Sequence, residues 1–182
     1  MDTKFDGWPH VICAQQFSRK WIEEELFPST RSMEKTSKNG LEQYILSNKK
    51  MISLFYEPST RTRFSFEMAM FYLGGQVCHT ESAGHFSSAA KGETLKDTIL
   101  VLNQFGPDVI VLRHDKEGSA AFAASISSVP IINAGDGNGQ HPTQALLDIY
   151  TIYKKFGKID GISIAMVGDL MNGRTVRSLS YL

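Results

Sequence analysis

Cysteine is scarce in this chain of 182 residues, and neither sign of charge is in excess. The two thiols, Cys13 and Cys78, lie too far apart for a metal-binding spacing, and so few of them indicate a reducing compartment. Nineteen basic residues balance nineteen acidic ones, which argues against a nucleic-acid coat or a polybasic membrane binder. No run approaches the ~20 apolar residues of a membrane span, and the first residues lack a signal-type segment. The sequence therefore predicts a cytoplasmic protein with no nucleic-acid or membrane partner.

Three signatures of nucleotide and catalytic sites are missing as well. The chain contains no G-x-G-x-x-G, no G-x-x-x-x-G-K-[ST] and no G-x-S-x-G. These absences exclude a dinucleotide fingerprint, a P-loop nucleotidase and a hydrolase elbow. No cluster of metal-type ligands is present, and His10 and His85 are predicted to be loop residues. Because the net charge is zero, any anion site has to be local and built from a few residues.

Short apolar runs alternate with segments of helical spacing along most of the chain. The predicted strands are residues 51–56, 76–79, 108–112, 129–132 and 162–167. The predicted helices are residues 17–27, 60–73, 93–105, 117–126 and 142–156, with another that begins at 173. This alternation is typical of a parallel, doubly wound α/β sheet flanked by helices. Residues 1–14 are predicted to form a loose arm, 29–39 a mobile connection, and 81–90 a loop.

A hydroxyl-rich turn follows the first predicted strand, in the order Ser59, Thr60, Arg61, Thr62 and Arg63. The start of a helix offers free backbone N–H groups and a favourable dipole to an anion. Two guanidinium groups beside these donors favour phosphate, or a phosphate ester or anhydride. The alternative is an ordinary helix N-cap, Ser59 or Thr60, followed by surface arginines.

Polar clusters also follow the later strands, and in doubly wound sheets ligands bind beyond the carboxyl ends of the strands. Arg113 ends one apolar run, where it could bind an oxyanion or form a salt bridge with a nearby acid. His141 and Gln144 open a helix after a loop with three glycines, which permits close approach to a ligand. They could hydrogen-bond a carbonyl and an amide, or serve only as an N-cap and a first-turn residue. The pattern predicts one shared crevice.

Lys91 ends a small polar loop that contains Ser87. It could be a solvated surface charge, or the tip of a mobile lid that excludes water and completes a site on closure.

Taken together, these motifs resemble the aspartate carbamoyltransferases, the catalytic chains of pyrimidine synthesis. The matching segments are FYEPSTRTRFSFE at 55–67, KGET at 91–94, NAGDG at 133–137, HPTQ at 141–144, MVGDL at 166–170 and GRTV at 173–176. The first of these is shared with ornithine carbamoyltransferases, whereas the KGET and MVGDL…GRTV segments favour the aspartate enzymes. The resemblance implies a carbamoyl-phosphate-binding domain over residues 1–157. Residues 158–182 would then be the first strand and helix of an incomplete aspartate-binding domain.

The resemblance implies transfer of the carbamoyl group of carbamoyl phosphate to the amino group of L-aspartate, without a metal or organic cofactor. Its catalytic residues would be Arg61, Thr62, Arg113 and His141. The carbamoyl phosphate site would consist of Ser59, Thr60, Arg61, Thr62, Arg113, His141 and Gln144. Lys91 and Arg174 would bind aspartate, with Ser87 beside Lys91 on a loop that reaches a neighbouring subunit of a homotrimer with shared active sites. Glu57 would be an interdomain pairing residue rather than a catalyst.

Two departures from the family pattern limit what we expect of these 182 residues. The chain ends inside a predicted helix, so we expect phosphate or carbamoyl phosphate binding but weak or absent turnover. Arg177 stands where the family usually has His, which leaves specificity on the aspartate side open. The alternatives are an ornithine carbamoyltransferase and a non-catalytic module that binds phosphate or joins a trimer.

Overall fold

The chain folds around one parallel sheet, as the sequence predicts. The computed structural model describes residues 10–39, 44–80, 83 and 92–182. The strands are β1 (Lys50–Phe55), β2 (Gln76–Thr80), β3 (Val109–His114) and β4 (Ile131–Asp136). Their order in the sheet is β2-β1-β3-β4, and every pair is parallel. β2 therefore lies outside β1, and β4 lies outside β3. The direction of winding reverses between β1 and β3, which places the topological switch point between their carboxyl ends.

The helices cover both faces of the sheet. They are α1 (Arg19–Trp21), α2 (Phe27–Lys38), α3 (Thr60–Tyr72), α4 (Leu95–Gln104), α5 (Ser119–Ile126), α6 (Pro142–Phe156) and α7 (Arg174–Leu179). The predicted bounds of α6 agree with the structure at both ends. Pro142 suits its first turn, and Gly157 closes it with φ +71, donating its N–H to Tyr153 O over 2.7 Å. Among the described residues, every helix is too short or too polar to cross a lipid bilayer.

The alternation of side chains along the strands builds two core layers. Ile110 and Leu112 face one side of β3, where they pack with Ile99 of α4. Val111 faces the other side and packs with Met70 of α3. Successive strand residues point to opposite faces, and both faces are covered, so β3 reads as a continuous apolar run.

The predicted mobile connection over residues 29–39 is wrong, because α2 occupies most of it. A π-helical stretch, Ile22–Leu26, joins α1 to α2. Phe27 is buried at the start of α2 and stacks on Tyr153 with ring centroids 4.3 Å apart. Glu34 pairs with Lys38 one turn on, at 2.8 Å, and with Lys154 of α6. Packing against a distant helix therefore stabilises a segment whose local composition favours a loop.

The predicted strand at 162–167 is also wrong, although α7 confirms the helix expected after it. Residues 162–167 have no regular secondary structure, and Val167 is 94% exposed. Branched apolar residues suit a strand, but a strand needs a hydrogen-bonded neighbour. No neighbouring strand pairs with it in the described part of the chain.

Two strands are longer or later than predicted, and a described residue of the predicted amino-terminal arm pairs with the sheet. β3 continues through Arg113 and His114, and β4 extends to Asp136. Within the predicted arm, residues 1–9 lie outside the description, but Val11 pairs with β4. Its N–H donates to Ile131 O, and its carbonyl accepts from the N–H of Asn133, each over 2.8 Å.

Candidate active site

A cleft of about 840 Å³ lies at the carboxyl ends of β1 and β3. It collects most of the residues predicted from the strand ends. The lining residues are Ser59, Arg61, Thr62, Ser65, Phe66, Ala69, Arg113, His141, Thr143, Gln144, Leu147, Asp148, Arg174 and Thr175. The shared crevice expected from the sequence is therefore present. Thr60 is exposed and does not line it. Lys91 and Ser87 lie outside the described residues.

The hydroxyl-rich turn forms the first wall of the cleft. β1 ends at Phe55, and α3 begins at Thr60 with Ser59 as its N-cap. Ser59 makes no side-chain capping hydrogen bond, so its hydroxyl is not engaged in the local role that the alternative required. The first N–H groups of a helix have no intrahelical partner. Together with the Thr62 hydroxyl and the Arg61 guanidinium, these groups offer an anion several donors.

Arg113 supplies the second wall from the end of β3. Its side chain is only 11% exposed; Nε donates to Glu57 Oε2 over 3.2 Å, and Nη1 donates to Ala134 O over 3.3 Å. Burial, and then the nearby charge of Arg174, lower the pKa of Arg113, while Glu57 opposes this effect. Arg113 thus forms a salt bridge with a nearby acid, as the alternative predicted, and it also faces the cleft.

Arg174 reaches the same carboxylate from the start of α7. Its Nη1 donates to Glu57 Oε2 over 3.1 Å and to Gly137 O over 2.9 Å. Glu57 therefore holds two guanidinium groups side by side, one from β3 and one from beyond the predicted domain boundary at 157. That boundary stays a prediction, but the contact agrees with a pairing role for Glu57.

His141 is fixed at the N-cap of α6 and is buried. Its backbone N–H donates to Ser178 Oγ over 2.8 Å, and its Nδ1 lies 3.4 Å from Thr143 Oγ1. Burial, followed by the charges of Arg113 and Arg174, lowers the pKa of His141 to about 4. The imidazole is therefore neutral near pH 7 and has one N–H to donate.

The glycine-rich loop between β4 and α6 is held by a buried carboxylate that the sequence reasoning missed. Asp136 Oδ1 accepts from the N–H of Gln140 over 2.9 Å and from Asn133 Nδ2 over 3.1 Å. Its Oδ2 accepts from the N–H of Gly118 over 2.9 Å. Gly135 adopts φ +114, and a Cβ there would lie 2.9 Å from Arg174 Nε. The loop thus brings its backbone against the arginines in a way that only glycine permits.

Helical spacing is the signal that finds three of the lining residues that were not predicted. Ser65 and Phe66 stand four residues after Arg61 and Thr62 on α3, and Asp148 stands four residues after Gln144 on α6. Residues four apart share one face of a helix. Gln144 Nε2 donates to Asp148 Oδ1 over 2.9 Å.

A second cavity of about 410 Å³ adjoins the cleft and shares Arg174 and Thr175 with it. Glu57 and Asn172 also line this cavity. Asp169, from the MVGDL segment at 166–170, accepts from the N–H and Nδ2 of Asn172, each over 3.0 Å, and lines neither cavity. No group of three His, Cys, Asp or Glu side chains suited to a metal ion occurs among the described residues.

The arrangement suits an anion that carries a carbonyl group. Arg61, Arg113 and Arg174 supply positive charge, and the start of α3 supplies N–H donors. His141 adds a neutral N–H donor that can stabilise negative charge on an oxygen.

Comparison with known proteins agrees with a ligand of this kind. Residues 9–154 match the family described as aspartate/ornithine carbamoyltransferase, carbamoyl-P binding domain. Aspartate carbamoyltransferase 2, chloroplastic, of Pisum sativum is 59% identical over 172 residues, which are 94% of this chain and 44% of that protein. The aspartate carbamoyltransferase catalytic subunit of Thermococcus kodakarensis is 51% identical over 170 residues, 93% of this chain and 54% of the relative.

Solved structures extend the similarity to the fold. Aspartate transcarbamoylase from Trypanosoma cruzi in complex with carbamoyl phosphate and aspartate has a TM-score of 0.89 and 44% identity, covering 94% of this chain and 52% of that one. The ligand-free form has a TM-score of 0.86 and 42% identity, with 94% and 54% covered. The chain spans about half the length of the relatives that it matches.

Proposed function

Because this chain belongs to the aspartate/ornithine carbamoyltransferase family, we propose that it binds carbamoyl phosphate in the cleft described above. We further propose that the whole protein transfers the carbamoyl group to L-aspartate, giving N-carbamoyl-L-aspartate and phosphate in de novo pyrimidine synthesis. The observation that carries the proposal is the convergence of Arg61, Arg113 and His141 around the start of α3. The matched relatives named above are aspartate enzymes, which favours aspartate over ornithine.

The phosphate group would lie against the start of α3. Ser59, Thr60, Arg61 and Thr62 would offer backbone N–H groups, hydroxyls and one guanidinium, and Arg113 would add a second guanidinium. Charge-assisted donors of this kind are short and strong. In the reaction they would stabilise the phosphate as it leaves with the bonding electron pair.

The carbonyl oxygen would face Thr62, Arg113 and His141. The neutral amino nitrogen of aspartate attacks the carbonyl carbon, and negative charge gathers on the oxygen. The bond from carbon to the phosphate oxygen then breaks with its electron pair on the phosphate, and the nitrogen gives up one proton to the departing phosphate. Donors that are already in place for that charge lower the barrier. His141 suits this role because its lowered pKa keeps it neutral, so that it donates one N–H without adding charge. Gln144 would hold the carbamoyl NH2 group.

Fewer residues of this chain are proposed to bind aspartate than to bind carbamoyl phosphate. Arg174 would bind a carboxylate of aspartate, since its guanidinium already donates to the carboxylate of Glu57. Lys91, with Ser87 beside it, would reach the site from a neighbouring subunit of a homotrimer. A cytoplasmic location stays a prediction.

Isothermal titration calorimetry on the folded chain tests the proposal. Carbamoyl phosphate and inorganic phosphate should both bind, and Arg61→Ala should weaken both by about tenfold or more, since it removes a charged donor. Arg31→Ala is the matched control, because Arg31 is exposed on α2 and does not line the cleft. A folded sample that binds neither ligand contradicts the proposal, as does an Arg61→Ala chain with unchanged affinity.

A further inference from the structure

We propose that Asp148 is a positioning residue that fixes the orientation of the Gln144 amide and thereby makes the cleft select an acyl phosphate with an NH2 group. The inference rests on the proposed function, because it concerns the recognition of the carbamoyl group within the same cleft. It adds a residue and a physical cause for the selectivity of the donor site.

The two side chains stand one turn apart on the face of α6 that lines the cleft. Gln144 Nε2 lies 2.9 Å from Asp148 Oδ1. A glutamine amide has a donor end and an acceptor end of nearly equal size, so its partners decide which end points where. A carboxylate oxygen only accepts hydrogen bonds, and the amide must therefore turn its NH2 group toward Asp148.

This pairing leaves the oxygen of the amide for the ligand. In the described part of the chain, no hydrogen bond occupies Gln144 Oε1. A carbonyl oxygen in the cleft accepts from an NH2 group, but it gains nothing from a methyl group and repels another oxygen. Carbamoyl phosphate carries the NH2 group, whereas acetyl phosphate carries a methyl group in the same place. A fixed Oε1 thus separates two ligands of nearly the same size and phosphate charge.

The charged and imidazole donors of the cleft do not make this distinction. Arg61, Arg113 and His141 offer donors, which suit the phosphate and carbonyl oxygens of both ligands equally. They do not distinguish NH2 from methyl. Without Asp148, the Gln144 amide could turn its NH2 group inward and act as one more donor, and the selectivity would be lost.

The test compares carbamoyl phosphate and acetyl phosphate by calorimetry on the full chain. The readout is the ratio of their two dissociation constants, in which any change in overall charge cancels because both ligands carry the same phosphate group. Asp148→Leu removes the acceptor and should lower this ratio about fivefold, the value of one typical hydrogen bond. Asp148→Asn should lower it only about twofold, because an amide partner permits both orientations of Gln144 equally.

Two further variants complete the series. Asp148→Glu keeps a carboxylate one turn from Gln144 and should retain most of the ratio of the unmodified chain. Asp160→Leu is the matched control, since Asp160 is an exposed carboxylate that pairs with Arg19 away from the cleft; its ratio should stay unchanged. Circular dichroism checks that each variant is folded, and if Asp148→Leu does not fold, the Asn and Glu variants decide.

The outcomes separate this inference from the proposed function. An unchanged ratio in the Leu and Asn variants overturns the role of Asp148, and so does an equal loss of affinity for both ligands, which indicates a merely structural effect. A Glu variant as unselective as the Leu variant contradicts the need for a carboxylate. If the unmodified chain binds neither ligand nor phosphate, the proposed function fails, and this inference fails with it.

Discussion

The buried hydroxyl of Ser178 accepts the backbone N–H of His141 over 2.8 Å. This contact ties α7 to the N-cap of α6, across the domain boundary predicted at 157. The position of His141 in the cleft therefore depends on a residue of α7 that lies 37 positions later in the chain.

Replacing Ser178 with Ala should lower the free energy of unfolding by about 1–3 kcal/mol, since a buried N–H loses its acceptor. Denaturant titration measures the change. Ser180→Ala is the matched control, because the Ser180 hydroxyl only donates to Arg177 O at an exposed site. Equal stability of the two variants would contradict the prediction.

His141 should make the protein less stable in acid. Its pKa is about 4 in the folded chain and 6.5 in its ordinary state, so the unfolded chain binds more protons between these two values. The contribution of His141 to the free energy of unfolding is therefore fully present above the unfolded pKa and is lost as the pH falls toward the folded pKa. Between about pH 7 and about pH 5 this single group should cost about 2 kcal/mol of unfolding free energy.

His141→Gln should remove that share of the pH dependence. Denaturant titrations at several pH values give the slope for each protein, and the variant's slope should be shallower. Burial also lowers the pKa of His114 and of His10, so part of the slope should persist. Parallel slopes in both proteins would show that His141 carries no such share.

Substitutions at Gly135 and Gly157 distinguish the effect of backbone strain from that of contact with the arginines. Both have positive φ, +114 and +71. A Cβ at Gly135 would meet Arg174 and Arg113, whereas no atom of the described residues lies within 4 Å of a Cβ at Gly157. Each Gly→Ala change should lower the free energy of unfolding by about 1 kcal/mol or more. Only Gly135→Ala should also weaken phosphate binding, by about tenfold, because it displaces charged donors. Similar phosphate affinities in calorimetry would contradict this.

Glu57→Gln should destabilise the chain in a way that phosphate corrects. The substitution keeps the shape but removes the negative charge between Arg113 and Arg174, and should cost about 1–3 kcal/mol of unfolding free energy. A bound phosphate supplies the missing charge, so the deficit should shrink as phosphate is added in thermal denaturation. Glu23→Gln is the control, since the pair of Glu23 with Arg19 is exposed to solvent and should contribute little to stability. A deficit that phosphate leaves unchanged would argue against this account.

Local sequence predicted those elements whose ends carry their own signals. α6 was correct at both ends because Pro142 suits a first helical turn and Gly157 suits a helix C-cap. α2 was missed because its stability comes from Tyr153 and Lys154, far along the chain. The segment 162–167 was predicted as a strand from its apolar side chains alone, although pairing decides whether a strand forms.

The candidate site was predictable where it lies at strand ends, because the topology of a parallel sheet brings such residues together. Arg61, Arg113 and His141 were found in this way, and the structure places all three in one cleft. Asp136 was not found, because it acts through hydrogen bonds to neighbouring groups. Such roles depend on distances that a linear pattern does not contain.

The pairing of Val11 with Ile132 covers part of the outer edge of the sheet. In the described part of the chain β4 is the last strand on its side, and an uncovered edge strand is a template for the edge of another molecule. The same short stretch also holds Asn133, whose Nδ2 donates to Ile12 O and whose Oδ1 accepts from the N–H of Gly135. Shortening the chain past residue 12 would therefore promote aggregation and loosen the loop behind Arg174, so solubility and ligand binding would decline together.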